Sequence, residues 1–184
     1  MQQAKEQEVS ALQMHSLLAL DQASRVTGWS VFVDGELKDW GHLTTNQEDI
    51  GERLVSIHNF IKDKVQEWNI NSIAFEDIQL QSSVGNNVKT FKVLANVYGV
   101  VLMTAVELDK NYKIIPSSTW KSQLKIKGRT RPEQKRNAQE FVLQQYNVKA
   151  TQDECDSICI GTCALTPNRS VFTATADKGF DWSE

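Results

Sequence analysis

The sequence is short of features on which several classes of protein depend. It has only three cysteines, Cys155, Cys159 and Cys163, which recur every four residues. The odd number argues against a disulfide-bridged framework, and neighbours on one helix make poor disulfides. Small buried core residues are therefore favoured over a metal site built from these thiols. No apolar run approaches the roughly 20 residues needed to cross a bilayer, so we expect no membrane contact.

The chain also lacks a secretory signal and any repeat or low-complexity block. Residues 1–15 are polar and glutamine-rich, without the basic-then-apolar order of a signal peptide, which favours a cytoplasmic protein. A length of 184 residues fits one domain with a sizeable core. We expect a flexible polar extension at 1–15, the domain at 16–166 and a polar tail at 167–184.

Histidine is scarce as well. The three histidines, His15, His42 and His58, lie far apart and show no spacing typical of metal ligands. His58 falls in an amphipathic helical pattern, where a hydrogen-bonded or surface histidine is favoured over a catalytic one. The sequence has no nucleophile elbow, which disfavours a serine hydrolase.

Charge is unevenly distributed along the chain. The formal net charge of −3 argues against a uniformly basic nucleic-acid-binding protein. Residues 110–136 nevertheless contain nine basic residues and one acidic residue, Glu133. The nine are Lys110, Lys113, Lys121, Lys125, Lys127, Arg129, Arg131, Lys135 and Arg136. This basic segment is either a solvated surface or a strip that binds phosphates on an otherwise acidic body.

Hydrophobic periodicity predicts the order of the elements. Five strands are expected at 17–21, 28–33, 36–43, 72–76 and 112–116. Helices are expected at 48–68 and 88–108, with two more beginning at Pro132 and near Asp153, and a basic loop or short helix at 117–131. A meander followed by alternating helices and strands gives a mixed five-stranded sheet with helices on both faces. This α/β arrangement is a ribonuclease-H-like architecture, with the wholly apolar first strand at its centre.

Four acids occupy positions that this architecture brings together. Asp21 and Glu76 end the first and fourth strands, which are expected to be parallel neighbours, so both emerge at one edge of the sheet. Asp153 and Asp156 are three residues apart at the start of the last helix and share one face of it. Alone, Asp153 is readily explained as a helix cap and Asp21 as a turn residue.

Considered together, the four acids favour a metal site. Carboxylates crowded at the end of a buried sheet repel one another and lose hydration, at several kcal/mol for each uncompensated charge. A divalent cation removes that conflict, and Mg²⁺ and Mn²⁺ prefer oxygen ligands. Two such ions about 4 Å apart would activate a water and stabilise the leaving oxygen of a phosphodiester.

Several motifs resemble one known family. In chain order they are LLALDQASRVTGWSVF, IAFEDIQLQ, NNVKTFKVLANVYGVV, PSSTWK and DECDSICIG. This ordered set, with D-x-x-D opening the last helix, resembles the RuvC family of Holliday-junction resolvases, and its phage-encoded members in particular. The resemblance covers roughly residues 17–165. It implies a metal-dependent endodeoxyribonuclease that resolves Holliday junctions and related branched DNA by paired nicking, with roles in DNA recombination and repair.

The resemblance also implies roles for individual residues. The metal ligands would be Asp21, Glu76, Asp153 and Asp156, holding two Mg²⁺ ions for which Mn²⁺ could substitute, with Asp21 bridging both. Lys121 and Lys135 would bind the scissile phosphate or stabilise its charge, and Asp77 and Glu154 would be structural neighbours. DNA contacts would come from Lys121, Lys125, Lys127, Arg129, Arg131 and Lys135. Members of the family are homodimers, and the long helix at 88–108 would supply much of the interface.

The sequence departs from the family pattern in two places. Many relatives have an aromatic residue shortly after the acid of the fourth strand, where this chain has Gln79. A glycine-rich basic turn is replaced by KGRTRPEQK. Both departures favour a broad range of branched DNA over strict sequence preference.

Other functions remain open at this stage. An RNA–DNA hybrid ribonuclease on the same fold needs the same acids, and a non-catalytic branched-DNA-binding protein would need only the basic segment. The stretch DQASRVTG also resembles the phosphate hairpin of sugar-kinase-like ATPases, but those proteins duplicate the domain and this chain is too short for two copies.

Overall fold

The structure, a computed structural model, describes residues 15–79, 87–166 and 172–174. Within these ranges a mixed sheet forms the centre, with the strand order β3-β2-β1-β4-β5-β6. The strands are β1 (Ser16–Asp21), β2 (Val26–Val33), β3 (Glu36–Thr44), β4 (Ser72–Glu76), β5 (Asn111–Ile115) and β6 (Phe172–Ala174). The first three form an antiparallel meander, and β4 and β5 run parallel to β1. The predicted five-stranded arrangement is confirmed, and β6 adds a sixth strand antiparallel to β5.

A two-residue turn joins β2 to β3. Its residues, Asp34 and Gly35, have φ angles of 52° and 83°. Positive φ at both central positions is the geometry that matches the twist of a tight hairpin, and the Asp-Gly pair favours it. The turn predicted from this pair is confirmed.

The structure describes five helices, and three of them begin at side-chain caps. The helices are α1 (Ile50–Glu67), α2 (Asn87–Glu107), α3 (Ser117–Gln123), α4 (Arg131–Tyr146) and α5 (Gln152–Leu165). Asp49 caps α1, while α4 and α5 each begin with a reciprocal capping box, formed by Thr130 with Glu133 and by Thr151 with Glu154. The predicted helices at 48–68 and 88–108 lie within two residues of the observed bounds.

Both faces of the sheet are covered by a hydrophobic core. On one face, Leu17 and Ala19 of β1 pack in a cluster with residues of α3, α4 and α5. On the other face, Leu18 and Leu20 pack in a second cluster with residues of α1 and α2. The alternation along β1 explains why its sequence is wholly apolar, and it confirms the strand as central. The three cysteines are buried and unpaired, as predicted.

Helix α2 is less buried than its sequence suggests. Seven residues, Phe91, Leu94, Ala95, Tyr98, Val101, Leu102 and Ala105, were expected on its buried side. Only Val101 and Ala105 of these are buried, together with Val97, and the other five are half-buried. Val88, Met103 and Val106 are more than half exposed. The exposed positions thus lie outside the predicted set, and the predicted buried side of the helix is confirmed, although most of its residues are only half-buried.

Two further expectations from the sequence concern α2 and the C-terminal segment. By length and composition, residues Val88–Glu107 form a helix long and apolar enough to cross a membrane, so the expectation that no run reaches that length is wrong. The strand β6 falls in the segment 167–184, which was expected to be a polar tail. Residues 1–14 and most of the polar bend expected at 79–87 lie outside the described ranges.

Candidate metal centre

The strand pairing places two of the predicted acids at one edge. Strands β1 and β4 are parallel and in register up to Leu20 and Phe75. The next residue on each strand is an acid, Asp21 on β1 and Glu76 on β4. Since the carboxyl ends of parallel neighbours meet at the same edge, both carboxylates emerge beside each other above the core.

The first turn of α5 brings the other two acids to the same edge. The residue opposite Asp21 on β2 is Gly28, and the carbonyl of Asp153 lies where a side chain at that glycine would be. Gly28 therefore allows the backbone of α5 to approach the sheet at Asp153. Asp156 follows one turn later on the same helix face.

A hydrogen bond from a histidine of β3 connects the same helix turn to the edge of the sheet. His42 of β3 lies opposite Gly28 in the strand register, and its Nδ1 is 2.7 Å from Oε1 of Glu154. The other carboxylate oxygen of Glu154 accepts from the backbone N–H of Thr151 at 2.8 Å. Burial raises the pKa of Glu154, but the hydrogen bonds from His42 and Thr151 outweigh it and leave this pKa lowered. Glu154 is therefore a structural residue of this turn.

The helix-cap explanation of Asp153 is wrong. Thr151 is the N-cap of α5, and its hydroxyl accepts from the backbone N–H of Glu154 at 3.4 Å. Because the capping box of Thr151 and Glu154 serves the start of the helix, the carboxylate of Asp153 is left for another use.

Electrostatic coupling shows that the four acids share one neighbourhood. Burial raises the pKa of Asp21 well above its usual value, and the charges of Glu76, Asp156 and Asp153 raise it further. Burial likewise raises the pKa of Asp156 to about 6, with Glu76 and Asp153 adding to the shift and two lysines opposing it. Both ionised carboxylates are therefore poorly compensated by the protein alone.

The opposing cations are Lys121 and Lys135. Nζ of Lys135 is 3.6 Å from Oδ1 of Asp153, and Lys135 lowers the pKa of Asp21 and Asp156. Lys121, on α3, lowers the pKa of Asp156 and lies 5.0 Å from the ring centroid of the buried Trp120. Both lysines therefore lie near the acids, and their roles at a scissile phosphate stay a prediction.

The remaining basic residues lie further along the same segment. Lys125, Lys127, Arg129 and Arg131 are exposed, on the loop between α3 and α4 and at the first residue of α4. The cap of α4 orders this loop, because the carboxylate of Glu133 accepts from the backbone N–H of Arg129 at 2.8 Å. Glu133, the one acid of the basic segment, is thereby engaged with the backbone.

The chemistry of the donor set fits a hard divalent cation. The candidate ligands are carboxylates from β1, β4 and α5, and oxygen ligands suit Mg²⁺ and Mn²⁺. Within the described part of the chain, no three Asp, Glu, His or Cys side chains are grouped closely enough to hold one ion together. The raised pKa values of Asp21 and Asp156 are the observation that favours a cation, because it would compensate both carboxylates.

Sequence reasoning missed the supports of this edge. His42 was treated as an isolated histidine, yet it bonds to Glu154 across 112 positions of sequence. Gln22 was not considered at all, although its side chain is buried against Glu76. The only available signal was Gly28, since an isolated glycine within a strand pattern suggests close backbone approach.

The sheet order, with helices on both faces, defines the chain as a protein of the ribonuclease-H-like fold. The family model described as crossover junction endodeoxyribonuclease RuvC matches residues 17–164, and the chain belongs to this RuvC family of nucleases. The resemblance drawn from the sequence motifs is therefore confirmed.

Similar proteins agree with this assignment. A crossover junction endodeoxyribonuclease RuvC from Ehrlichia chaffeensis is 29% identical over 160 residues, covering 84% of this chain and 98% of the relative. Its counterpart from Ehrlichia canis is 24% identical over 152 residues, covering 80% and 94%. Among solved structures, Thermus thermophilus RuvC in complex with a Holliday junction substrate has a TM-score of 0.65 at 16% identity, covering 80% of this chain and 91% of that one. The Thermus thermophilus RuvC structure alone has a TM-score of 0.64 at 18% identity, covering 80% and 92%. These structures confirm the fold.

Proposed function

We propose that this chain is a divalent-metal-dependent endonuclease that resolves Holliday junctions and related branched DNA by paired nicking. The observation that carries the proposal is the electrostatic neighbourhood of four carboxylates from β1, β4 and α5, with two lysines beside it, in a member of the RuvC family. A chain that used these acids only as caps and turns would not need them at one desolvated edge.

The cations would be two Mg²⁺ ions, with Mn²⁺ able to substitute, held by Asp21, Glu76, Asp153 and Asp156. The charges of the other three acids each raise the pKa of Asp21. When bound, the ions would activate a water and stabilise the leaving oxygen of the phosphodiester. The raised pKa values of Asp21 and Asp156 mean that binding a cation would relieve a cost already present in the fold.

Lys121 and Lys135 would stabilise the charge that develops on the scissile phosphate. Both lysines lie on the side of the sheet where α3, α4 and α5 pack, and both act on the carboxylate of Asp156. An ammonium held in place before the reaction needs little reorganisation as charge develops, which is the main advantage of such a group.

The exposed residues Lys125, Lys127, Arg129 and Arg131 would contact the DNA backbone next to the site. They form a local cationic strip on a chain whose formal net charge is −3, so contact with phosphates is confined to one region. Contacts of this kind position DNA without reading its sequence. This agrees with the broad range of branched substrates expected from Gln79 and the KGRTRPEQK loop.

Branched DNA and a homodimer complete the proposal. The similar Thermus thermophilus RuvC was solved with a Holliday junction substrate, which supports a junction as the ligand here. Paired nicking of two strands needs two sites, and the exposed apolar side of α2 is a surface on which a second copy could pack. Residues 16–166 would form the nuclease domain, and the bacterial relatives favour action in the cytoplasm.

The test compares wild type with Asp21→Asn on a four-way junction, a fork, a linear duplex and an RNA–DNA hybrid. Each is assayed with Mg²⁺, with Mn²⁺ and with chelator. We expect wild type to nick the junction in a metal-dependent way, and Asp21→Asn to lose cleavage by at least 10³-fold while binding the junction almost unchanged, as losses of key electrostatic groups do. The exposed Asp63→Asn on α1 serves as the matched control and should cut normally.

Each alternative has its own outcome. Cleavage of the hybrid in preference to the junction would identify a ribonuclease. Junction binding without nicking in Mn²⁺ would identify a non-catalytic DNA-binding protein. Equal cleavage by Asp21→Asn and wild type would reject the assigned site.

A further inference from the structure

At Glu76, the backbone of β4 is no longer paired with the backbone of β1. The register of β1 with β4 ends at Leu20 and Phe75, and Asp21, the last residue of β1, pairs with Gly28 of β2. In a strand with parallel neighbours, the N–H and C=O of one residue both point to the strand on one side. Those of the next residue point to the strand on the other side. Since the N–H of Asp77 donates to Ile115 of β5, the N–H and C=O of Glu76 face the β1 side.

The side chain of Gln22 takes up both of these backbone groups. Its Nε2 donates to the carbonyl oxygen of Glu76 at 2.6 Å, and its Oε1 accepts from the N–H of Glu76 at 3.1 Å. A glutamine amide carries the same donor and acceptor as a peptide unit. Gln22 is only 6% exposed, so water does not readily replace it as the partner of Glu76.

We propose that Gln22 is a positioning residue, which replaces the missing peptide unit of β1 and thereby fixes the backbone of Glu76 as a metal ligand. The proposal rests on the metal-dependent function proposed above. With Asp77 bound to β5 on one side and Gln22 on the other, the chain at Glu76 is held from both sides. A ligand held before the ion arrives binds it more tightly, because its freedom is already lost.

The opposite end of the same strand pair offers a matched control. There Asn71 of the turn before β4 accepts from the backbone N–H of Ser16 at 2.9 Å and from its hydroxyl at 2.8 Å. This side-chain amide also joins β1 to the chain of β4, but at the edge of the sheet remote from the acids. Asn71→Leu therefore weakens the strand pair without touching the acidic edge.

The experiment measures Mn²⁺ affinity by titration calorimetry, alongside the melting temperature, for wild type, Gln22→Met, Gln22→Asn and Asn71→Leu. Gln22→Met keeps the length of the side chain and removes both hydrogen bonds. We expect it to weaken Mn²⁺ binding at least tenfold and to lower kcat, with junction binding in chelator unchanged within twofold. Gln22→Asn, which is one methylene shorter and least disruptive to the core, should weaken Mn²⁺ binding at least threefold. Asn71→Leu should lower the melting temperature with Mn²⁺ affinity unchanged within twofold.

Hydrogen exchange supplies a readout that does not depend on the metal. The amide of Glu76 should exchange at least ten times faster in both Gln22 variants, and the amide of Ser16 should not. The proposal is overturned if both Gln22 variants bind Mn²⁺ like wild type, or if Asn71→Leu loses as much affinity. Failure of the proposed function looks different, because wild type itself would then bind no Mn²⁺; that result would also end the role of Gln22 in ligand positioning.

Discussion

Asp156 makes the stability of the fold depend on pH. The pKa of its carboxyl is raised by burial to about 6, from an ordinary value of 3.8, so between these values the folded chain binds more protons than the unfolded one. Its contribution to stability therefore falls as pH rises from about 4 to about 6 and stays low above that range. The pKa of Asp21 is raised in the same direction.

Replacing Asp156 by Asn should remove this loss of stability. In chelator, we expect the free energy of unfolding of Asp156→Asn, relative to wild type, to increase by about 2–3 kcal/mol between pH 4 and pH 7. Urea denaturation at several pH values measures this difference. Mn²⁺ added at pH 7 should stabilise wild type more than the variant. A difference that does not change with pH would show that Asp156 is not held in a desolvated, acidic environment.

At the same scale, the sequence reveals the acids more readily than their supports. Asp21 and Glu76 follow apolar strand patterns, and Asp153 and Asp156 have helical spacing, so local pattern was enough to group them. Gln22 and His42 have partners 54 and 112 positions away. Those contacts depend on where β1 leaves β4 and on how α5 crosses the sheet, neither of which appears in a local pattern.

At the scale of elements, the close packing of α5 against β2 controls the position of Asp153. A methyl group at Gly28 would overlap the carbonyl of Asp153, so Gly28→Ala should push the first turn of α5 away from the sheet. We expect a loss of about 1–3 kcal/mol in the free energy of unfolding, as in other overpacked sites, and a fall in Mn²⁺ affinity of at least tenfold. Chemical denaturation and calorimetry measure the two effects.

Gly161→Ala is the control for this variant. Gly161 lies on the same helix and packs closely against Phe32 and Ala19, but it is more than one turn beyond Asp156 and about two turns beyond Asp153. It should destabilise the fold by a similar amount and leave Mn²⁺ affinity unchanged. If both variants lose metal affinity equally, α5 acts only through overall stability.

The start of α5 also shows why capping could be predicted only in part. Asp153 is a favourable cap residue by type, but Thr151 and Glu154 have the spacing of a capping box and take that role. The burial of α2 was likewise predicted only in part. Periodicity indicated its buried side, but it did not indicate how completely the neighbouring α1 and sheet would cover that side.

At the scale of the whole molecule, α2 is the surface that we expect to join two copies. Met103 and Val106 are 54% and 60% exposed, and Gly99 lies on the same helix. In the part of the chain that the structure describes, nothing outside the adjoining helix backbone lies within 4 Å of where a side chain at Gly99 would begin. A glycine within a helix costs about 1 kcal/mol relative to alanine, and packing among the described residues does not require one here. Close approach of a second helix would account for it.

Introducing charge on this side should separate the copies. We expect Met103→Asp with Val106→Asp to raise the dimer dissociation constant more than 100-fold, because two carboxylates would have to be buried in the interface. Sedimentation velocity measures the association, and the junction assay should change from paired to single nicks. The control is Leu143→Asp, an exposed apolar residue of α4 on the opposite face of the sheet. A dimer that persists in the double variant would place the interface elsewhere.

The overall topology was predictable because β1, β2, β4 and β5 contain apolar runs, the Asp-Gly turn locates β3 after β2, and the chain order allows few arrangements. β6 was not, since a strand of three residues in a polar segment carries no periodic signal. It was revealed only by its pairing with β5.

The buried cysteines have a practical consequence for studying this chain. Burial raises the pKa of Cys155 and of Cys163 to about 11 and also raises that of Cys159, so little reactive thiolate forms near neutral pH. A cysteine introduced on the surface would therefore be modified far faster than the native three. Fluorophores or spin labels could then be attached at chosen positions, to follow distances within a junction complex, in an otherwise natural sequence.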